Sequence, residues 1–160
     1  MRLRSPALLR LSLIGTLAAA LAQPAYAGEK PALRAPLSPR YQQECSGCHL
    51  AYPPGMLPAD SWRRLLSNLS RHFGTDASLA PDATAELSGW LAATAGTGRG
   101  VRDAPPEDRI TRSRWFVRKH DDVPAAVWKS TAVGSAGNCA ACHANADKGD
   151  FDERQIRIPR

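Results

Sequence analysis

Every cysteine in this chain falls in one of two short stretches, Cys45-Ser-Gly-Cys48-His49 and Cys139-Ala-Ala-Cys142-His143, which also hold half of its histidines. Thiols at i and i+3 with an imidazole at i+4 share one face of a helical turn. That geometry suits one chemistry. The two sulfurs can form thioether bonds to the vinyl groups of a porphyrin, and the adjacent imidazole then lies beneath the iron as its proximal ligand. Cys-x-x-Cys-His is the attachment signal for c-type haem. Two copies that leave no cysteine over predict two covalently attached c-type haems, held by Cys45 with Cys48 and by Cys139 with Cys142, with His49 and His143 as metal ligands.

Two other uses of the cysteines fit less well. A structural zinc site takes its pairs from a compact ribbon, whereas these pairs lie more than 90 residues apart. It also gives no reason for a histidine to follow the second cysteine both times. A redox or structural disulfide within each Cys-x-x-Cys calls for a strand and a βαβ setting ahead of it, and neither motif has one.

The sixth position on each iron is assigned by counting. Four histidines serve two irons, and the two outside the motifs are His72 and His120. The usual competitor is methionine. Met1 belongs to a cleavable leader, which leaves Met56, seven residues beyond His49 and behind a Pro-Pro-Gly turn. His72 continues an apolar helical face, and in the absence of iron it would be read as an ordinary core histidine. His120 stands in Arg118-Lys119-His120-Asp121-Asp122, which by itself resembles a solvated turn, with Trp115 and Phe116 just upstream. His72 is expected opposite His49 on the first iron and His120 opposite His143 on the second, with the crossed arrangement as the alternative. Two imidazoles per iron give low-spin centres with no vacant position. Their potentials should also lie below those of centres with a methionine ligand.

The address agrees with the cofactor. Residues 1–27 read as a cleaved signal peptide: a basic start with Arg2, Arg4 and Arg10, a twelve-residue apolar run from Leu11 to Ala22, and Ala25-Tyr26-Ala27 as the cleavage site. The apolar run is shorter than the roughly 20 residues a membrane span needs, and no second hydrophobic run follows. Export to the periplasm is expected, on the side of the bacterial inner membrane where c-type haem is attached, as a protein that does not span the membrane. Cleavage removes three arginines and no acid, so the formal charge falls from +6 to +3. No basic run with interleaved aromatics points to nucleic acid. The residual positive charge suits an acidic partner or haem propionates.

The elements that must position these residues read as mostly α-helical. Pro31 to Pro39 is an extended leader. A helix carries Tyr41 into the first motif. After Tyr52-Pro53-Pro54-Gly55, a helix capped by Asp60 or Ser61 shows Trp62, Leu65, Leu66, Leu69, His72 and Phe73 on one face and ends at Gly74. A further helix is predicted from Pro81 to Thr94. Ala95 to Gly100 reads as a linker; it lacks the Gly-Lys-Ser/Thr of a phosphate loop. Beyond it come a short helix over Val123–Trp128 capped by Asp122, a helix bearing the second motif, and an extended tail over 151–159. The division is therefore 28–98 for the first haem domain and 99–160 for the second. Chains of that size rarely bury enough apolar surface alone, so each haem should form part of its core.

The order of segments resembles the diheme cytochromes c of proteobacteria. The resemblance spans nearly all of the chain beyond the leader. It runs through Glu44-Cys45-x-x-Cys48-His49 with Ala51-Tyr52-Pro53-Pro54, Leu57-Pro58, Ser61-Trp62, His72-Phe73-Gly74, Arg109-Ile110-Thr111, Trp115-Phe116 with His120, Asn138-Cys139-x-x-Cys142-His143 and Ile156-Arg157-Ile158-Pro159. It implies a cytochrome c-like N-terminal half, a less regular helical C-terminal half, and two bis-histidine haems. It also implies partners such as a small oxygen-binding monohaem cytochrome or a membrane b-type cytochrome. The expectation is an electron-transfer protein rather than an enzyme. The rivals from other classes, a dihaem peroxidase or a gas-binding sensor, each require an open iron.

Overall fold

Five α-helices organise the described residues: α1 (Pro39–Cys45), α2 (Ala59–Leu66), α3 (Pro81–Thr94), α4 (Arg114–Lys119) and α5 (Ala125–Trp128), joined by single turns of 3-10 helix. The computed structural model describes residues 36–159, so the signal peptide over 1–27 and most of the proline-rich leader lie outside the described residues. Among the described residues there are no strands, only isolated bridges such as His72 with Thr75 and His143 with Ile156. The mostly α expectation holds.

α1 starts where Ser38 precedes Pro39, a residue suited to the first helical turn because its missing N–H needs no partner there. It carries Tyr41 toward the first motif as expected but ends at Cys45, and the rest of the motif is a turn. The second motif departs further from expectation. In place of a helix, Cys139–Ala141 forms one 3-10 turn, behind Gly134 and Gly137. A bond from the His143 N–H to the Cys139 carbonyl at 2.8 Å supplies a single helical i to i+4 link across the motif. One turn is enough to gather two thiols and an imidazole, so no longer helix is required.

α2 is shorter than its apolar face suggests. It opens at Ala59 behind Pro58 with no side-chain cap, Asp60 lying in its first turn, and it stops at Leu66. There the Ser67 hydroxyl donates to the Arg64 carbonyl at 2.9 Å, a local bond that competes with helix propagation. A 3-10 turn over Leu69–Arg71 follows and leaves His72 in an extended conformation. Phe73 and Gly74 then take left-handed backbone angles, φ 51° and 98°. α3 keeps its expected bounds, with Pro81 at its start, Asp82 in its first turn and Ala83, Leu87 and Leu91 buried along one face. α5 begins only at Ala125, behind Pro124, so Asp122 does not cap it. The tail bends through a 3-10 turn at Glu153–Gln155, and extended backbone returns at Ile156.

The core sits in the N-terminal half. Tyr41, Ala51, Leu57, Trp62, Leu66, Leu87 and Leu91 form one buried cluster where α1 and α2 meet α3. Tyr41 meets Trp62 edge-on at 6.4 Å and Trp90 at 5.2 Å. Trp62 donates its indole N–H to the Pro54 carbonyl at 2.8 Å, pinning the turn at Pro54–Met56 against the helix. The C-terminal half has fewer buried apolar side chains, chiefly Phe116, Val133 and Ala146.

The glycine-rich stretch read as a linker is docked. Gly96 N–H donates to the Leu57 carbonyl at 2.8 Å. A Cβ at Gly96 would stand 2.4 Å from the Gly55 carbonyl oxygen, so only glycine permits this approach. Arg64 of α2 reaches Asp108 with two bonds, Nε at 2.9 Å and Nη2 at 2.7 Å, in the paired geometry of a guanidinium on a carboxylate. The chain beyond residue 99 thus packs on the first half before it builds the second.

Candidate metal centres

The structure brings the four histidines together in two pairs. The rings of His49 and His72 face each other with centroids 6.1 Å apart and planes 24° from parallel. Those of His120 and His143 lie 6.2 Å apart with planes 73° from parallel. Each histidine outside the motifs therefore sits opposite the motif histidine of its own half.

Different local devices deliver each ring. His49 follows the turn after α1, and its Nδ1 lies 2.7 Å from the Leu50 carbonyl. His120 ends α4, with Nδ1 2.9 Å from the Phe116 carbonyl one turn back. In both, an Nδ1–H donated to a carbonyl leaves the Nε2 lone pair outward, the form in which imidazole binds metals. His72 is carried by the extended link after the 3-10 turn, against the Phe73 ring at 4.8 Å. Burial, then the His49 ring and the Arg109 guanidinium, hold its pKa down. Burial, then His120, does the same for His143. Both effects favour the neutral imidazole that a metal requires.

The surroundings are aromatic. Phe116 stacks on His120 at 4.0 Å, Trp128 stands 5.8 Å from His120, and Phe151 lies 5.2 Å from His143. Tyr52 stacks on His49 at 5.0 Å with planes 22° apart. On the other side Arg109 lies over Phe73, 4.2 Å from the ring centre. Tyr52 and Phe151 have no spacing signal in the sequence; proximity to a motif histidine is the one hint for Tyr52.

No disulfide joins the four cysteines; Cys48 is exposed and the other three are partly buried. Burial pushes the Cys45 and Cys139 thiols up to about 11, so both lie in surroundings that suit an uncharged sulfur. The described residues contain no group of three or more Cys, His, Asp or Glu able to hold a metal ion. That rules against a shared zinc cluster of the four cysteines within this arrangement.

A haem iron between two imidazoles fits these distances. Two metal–nitrogen bonds of about 2 Å, plus about 1 Å from each nitrogen to its ring centre, place the centroids about 6 Å apart. Both pairs meet that value. The buried Nδ1 of His72 and Nε1 of Trp115 have no hydrogen-bond partner among the described residues. Protein rarely leaves such atoms unsatisfied, and a bound polar group is one way to satisfy them. Met56 is buried in its turn at 4% exposure.

Comparison with known proteins agrees with the site. The family model described as dihaem cytochrome c matches residues 41–151. A diheme cytochrome c from Rhodobacter sphaeroides is similar in structure, with 41% identity, TM-score 0.65, and coverage of 71% of this chain and 96% of that one. A diheme cytochrome type c from Shewanella baltica matches at 40% identity and TM-score 0.69, covering 78% of this chain and 94% of that one. No curated protein matches the chain. With more than half its length matched by the family model and both motifs inside the match, the chain belongs to the dihaem cytochrome c family and carries two c-type haems.

Proposed function

We propose that the protein is a periplasmic electron carrier in which both irons are closed by histidine. Haem one is held by Cys45 and Cys48 and ligated by His49 and His72. Haem two is held by Cys139 and Cys142 and ligated by His143 and His120. The observation that carries the assignment is the pairing of rings at 6.1 and 6.2 Å, one pair in each half. Residues 28–98 and 99–160 form the two haem domains, and 1–27 is the export signal.

The haems supply one-electron redox chemistry when bound. The chain's own residues set the conditions for it. Cys45, Cys48, Cys139 and Cys142 fix each group covalently, so repeated redox cycling does not release it. The four imidazoles would hold each group by the same ligands in both oxidation states, which would keep reorganisation small. Phe116, Trp128 and Phe151 gather around one pair, and Tyr52 and Phe73 flank the other, where His49 and Phe73 remain exposed. Nδ1 of His49 and of His120 each donates to a backbone carbonyl, which leaves Nε2 of each as the nitrogen that would bind the metal.

Partners are other redox proteins, a small monohaem oxygen-binding cytochrome or a membrane b-type cytochrome among them. No helix among the described residues is long and apolar enough to cross a membrane. The decisive measurement is the absorption spectrum of reduced holoprotein with and without carbon monoxide, followed by addition of peroxide to the oxidised form. Unchanged spectra and no turnover are expected. Ready binding of carbon monoxide, or peroxide turnover, would replace the carrier with a sensor or a peroxidase.

A further inference from the structure

Tyr52 touches both haem sites at once. Its ring stacks on His49 at 5.0 Å, and its hydroxyl donates to the Gly137 carbonyl at 2.9 Å, 85 residues away. The same carbonyl accepts the backbone N–H of Cys139 at 3.0 Å. One stack and two hydrogen bonds therefore run from the motif histidine of the first half to the first motif cysteine of the second. The contact is built at both ends. Tyr52's own carbonyl accepts the Tyr41 hydroxyl at 2.9 Å, and Tyr41 is 2% exposed in the core. At the other end, a Cβ on Gly137 would stand 3.1 Å from the Tyr52 hydroxyl oxygen, tighter than ordinary contact.

We infer that Tyr52 is the positioning residue that sets the second haem site against the first and provides the electronic link between them. The inference rests on the ligand assignment proposed above. In the transfer step one electron leaves the ferrous iron of one centre and reduces the ferric iron of the other. No bond is made or broken and no proton moves. Tyr52 is neither oxidised nor deprotonated; its hydroxyl proton stays in the bond to the Gly137 carbonyl. Its part is to hold ring, hydroxyl and Gly137 carbonyl in register.

The test uses holoprotein and three variants. Tyr52→Phe keeps the stack and deletes the bond to Gly137. Gly137→Ala keeps the phenol and crowds it. Tyr52→Leu removes stack and bond together. Intramolecular electron transfer is timed after photoreduction by less than one electron per protein, and amide exchange is read over residues 135–139. Tyr52→Phe is expected to slow transfer severalfold and to lower exchange protection of that loop about fivefold, which is about 1 kcal/mol. Gly137→Ala should reproduce both effects, and Tyr52→Leu should slow transfer further. All three should keep two low-spin haems inert to carbon monoxide. Wild-type transfer rates in Tyr52→Phe and Gly137→Ala would overturn the inference, whatever becomes of Tyr52→Leu. Carbon monoxide binding by the wild-type protein would instead overturn the ligand assignment, so the two failures are separable.

Discussion

Replacing His72 with Met should change one haem and spare the other. The side chain lies on the extended link after the Leu69–Arg71 turn, its ring 6.1 Å from His49. The remaining two histidines face each other at 6.2 Å, so neither can take its place. Met56 is locked in its buried turn, so the thioether that arrives is the new one. Axial ligands move haem potentials over about 0.8 V, and methionine lies on the high side. A single exchange taken as about one fifth of that range raises the potential of haem one by about 150 mV. At about 59 mV per decade, this is a shift of roughly 300-fold toward the reduced form. Spectroelectrochemical titration of the holoprotein would resolve it as one wave moving away from the other. The second wave should move by less than about 30 mV, half a decade. Equal movement of both waves would refute local ligation. A shift confined to the haem on Cys139 and Cys142 would show that the distal ligands are crossed.

His120→Ala should open one iron, turn it high-spin and admit about one carbon monoxide per protein, half of the haem content, as a carbon monoxide titration would read; binding at neither iron or at both would contradict the pairing with His143. The wild-type oxidised protein should give two unlike low-spin resonance signals. Nearly parallel imidazoles at 24° split the iron orbitals that receive π donation and give a rhombic spectrum, whereas planes 73° apart leave them close in energy and give one large-g feature; two identical signals would contradict these orientations. Asp108→Asn should cost about 1 kcal/mol at neutral pH, a small figure because Arg64 is half exposed. The sign follows from Arg64 and Ser61, whose bonds hold the Asp108 carboxyl below its ordinary value of 3.8. The stability it adds is present above that value and is lost as pH falls through the lower folded one, so acid denaturation of the variant should be less steep below about pH 4.

The residues that carry the chemistry were legible because haem attachment needs them close in sequence. Cys45, Cys48 and His49 are bound by one spacing rule, and Cys139, Cys142 and His143 repeat it. α3 was legible to its ends for a related reason: Pro81, Asp82, Leu87 and Leu91 each act within one or two helical turns. His72 was found on a helical spacing that the backbone does not keep. The apolar positions from Trp62 to Leu69 continue in register, but Ser67 and Asn68 turn the chain out of the helix, and His72 reaches its place on extended backbone. The sequence around His120 and the second motif offered even less. Its elements are single turns with little periodicity, and the aromatic groups gather around two imidazoles rather than along a helix face.

What sequence could not give is any contact whose partners are far apart in the chain. The Arg64 clamp on Asp108 spans 44 residues, and Tyr52 reaches Gly137 across 85. No periodicity encodes either, since each depends on two loops meeting after both have folded. Yet these contacts fix how the halves sit. The glycines are the trace they leave: Gly96 admits the Gly55 carbonyl at a distance a side chain would spoil, and Gly137 takes the Tyr52 hydroxyl where a side chain would crowd it. A glycine-rich stretch that reads as slack chain is here a place where backbone must come close. The two haem sites thus owe their chemistry to local spacing and their mutual geometry to long-range contacts, such as that of Tyr52 with Gly137, for which glycine makes room.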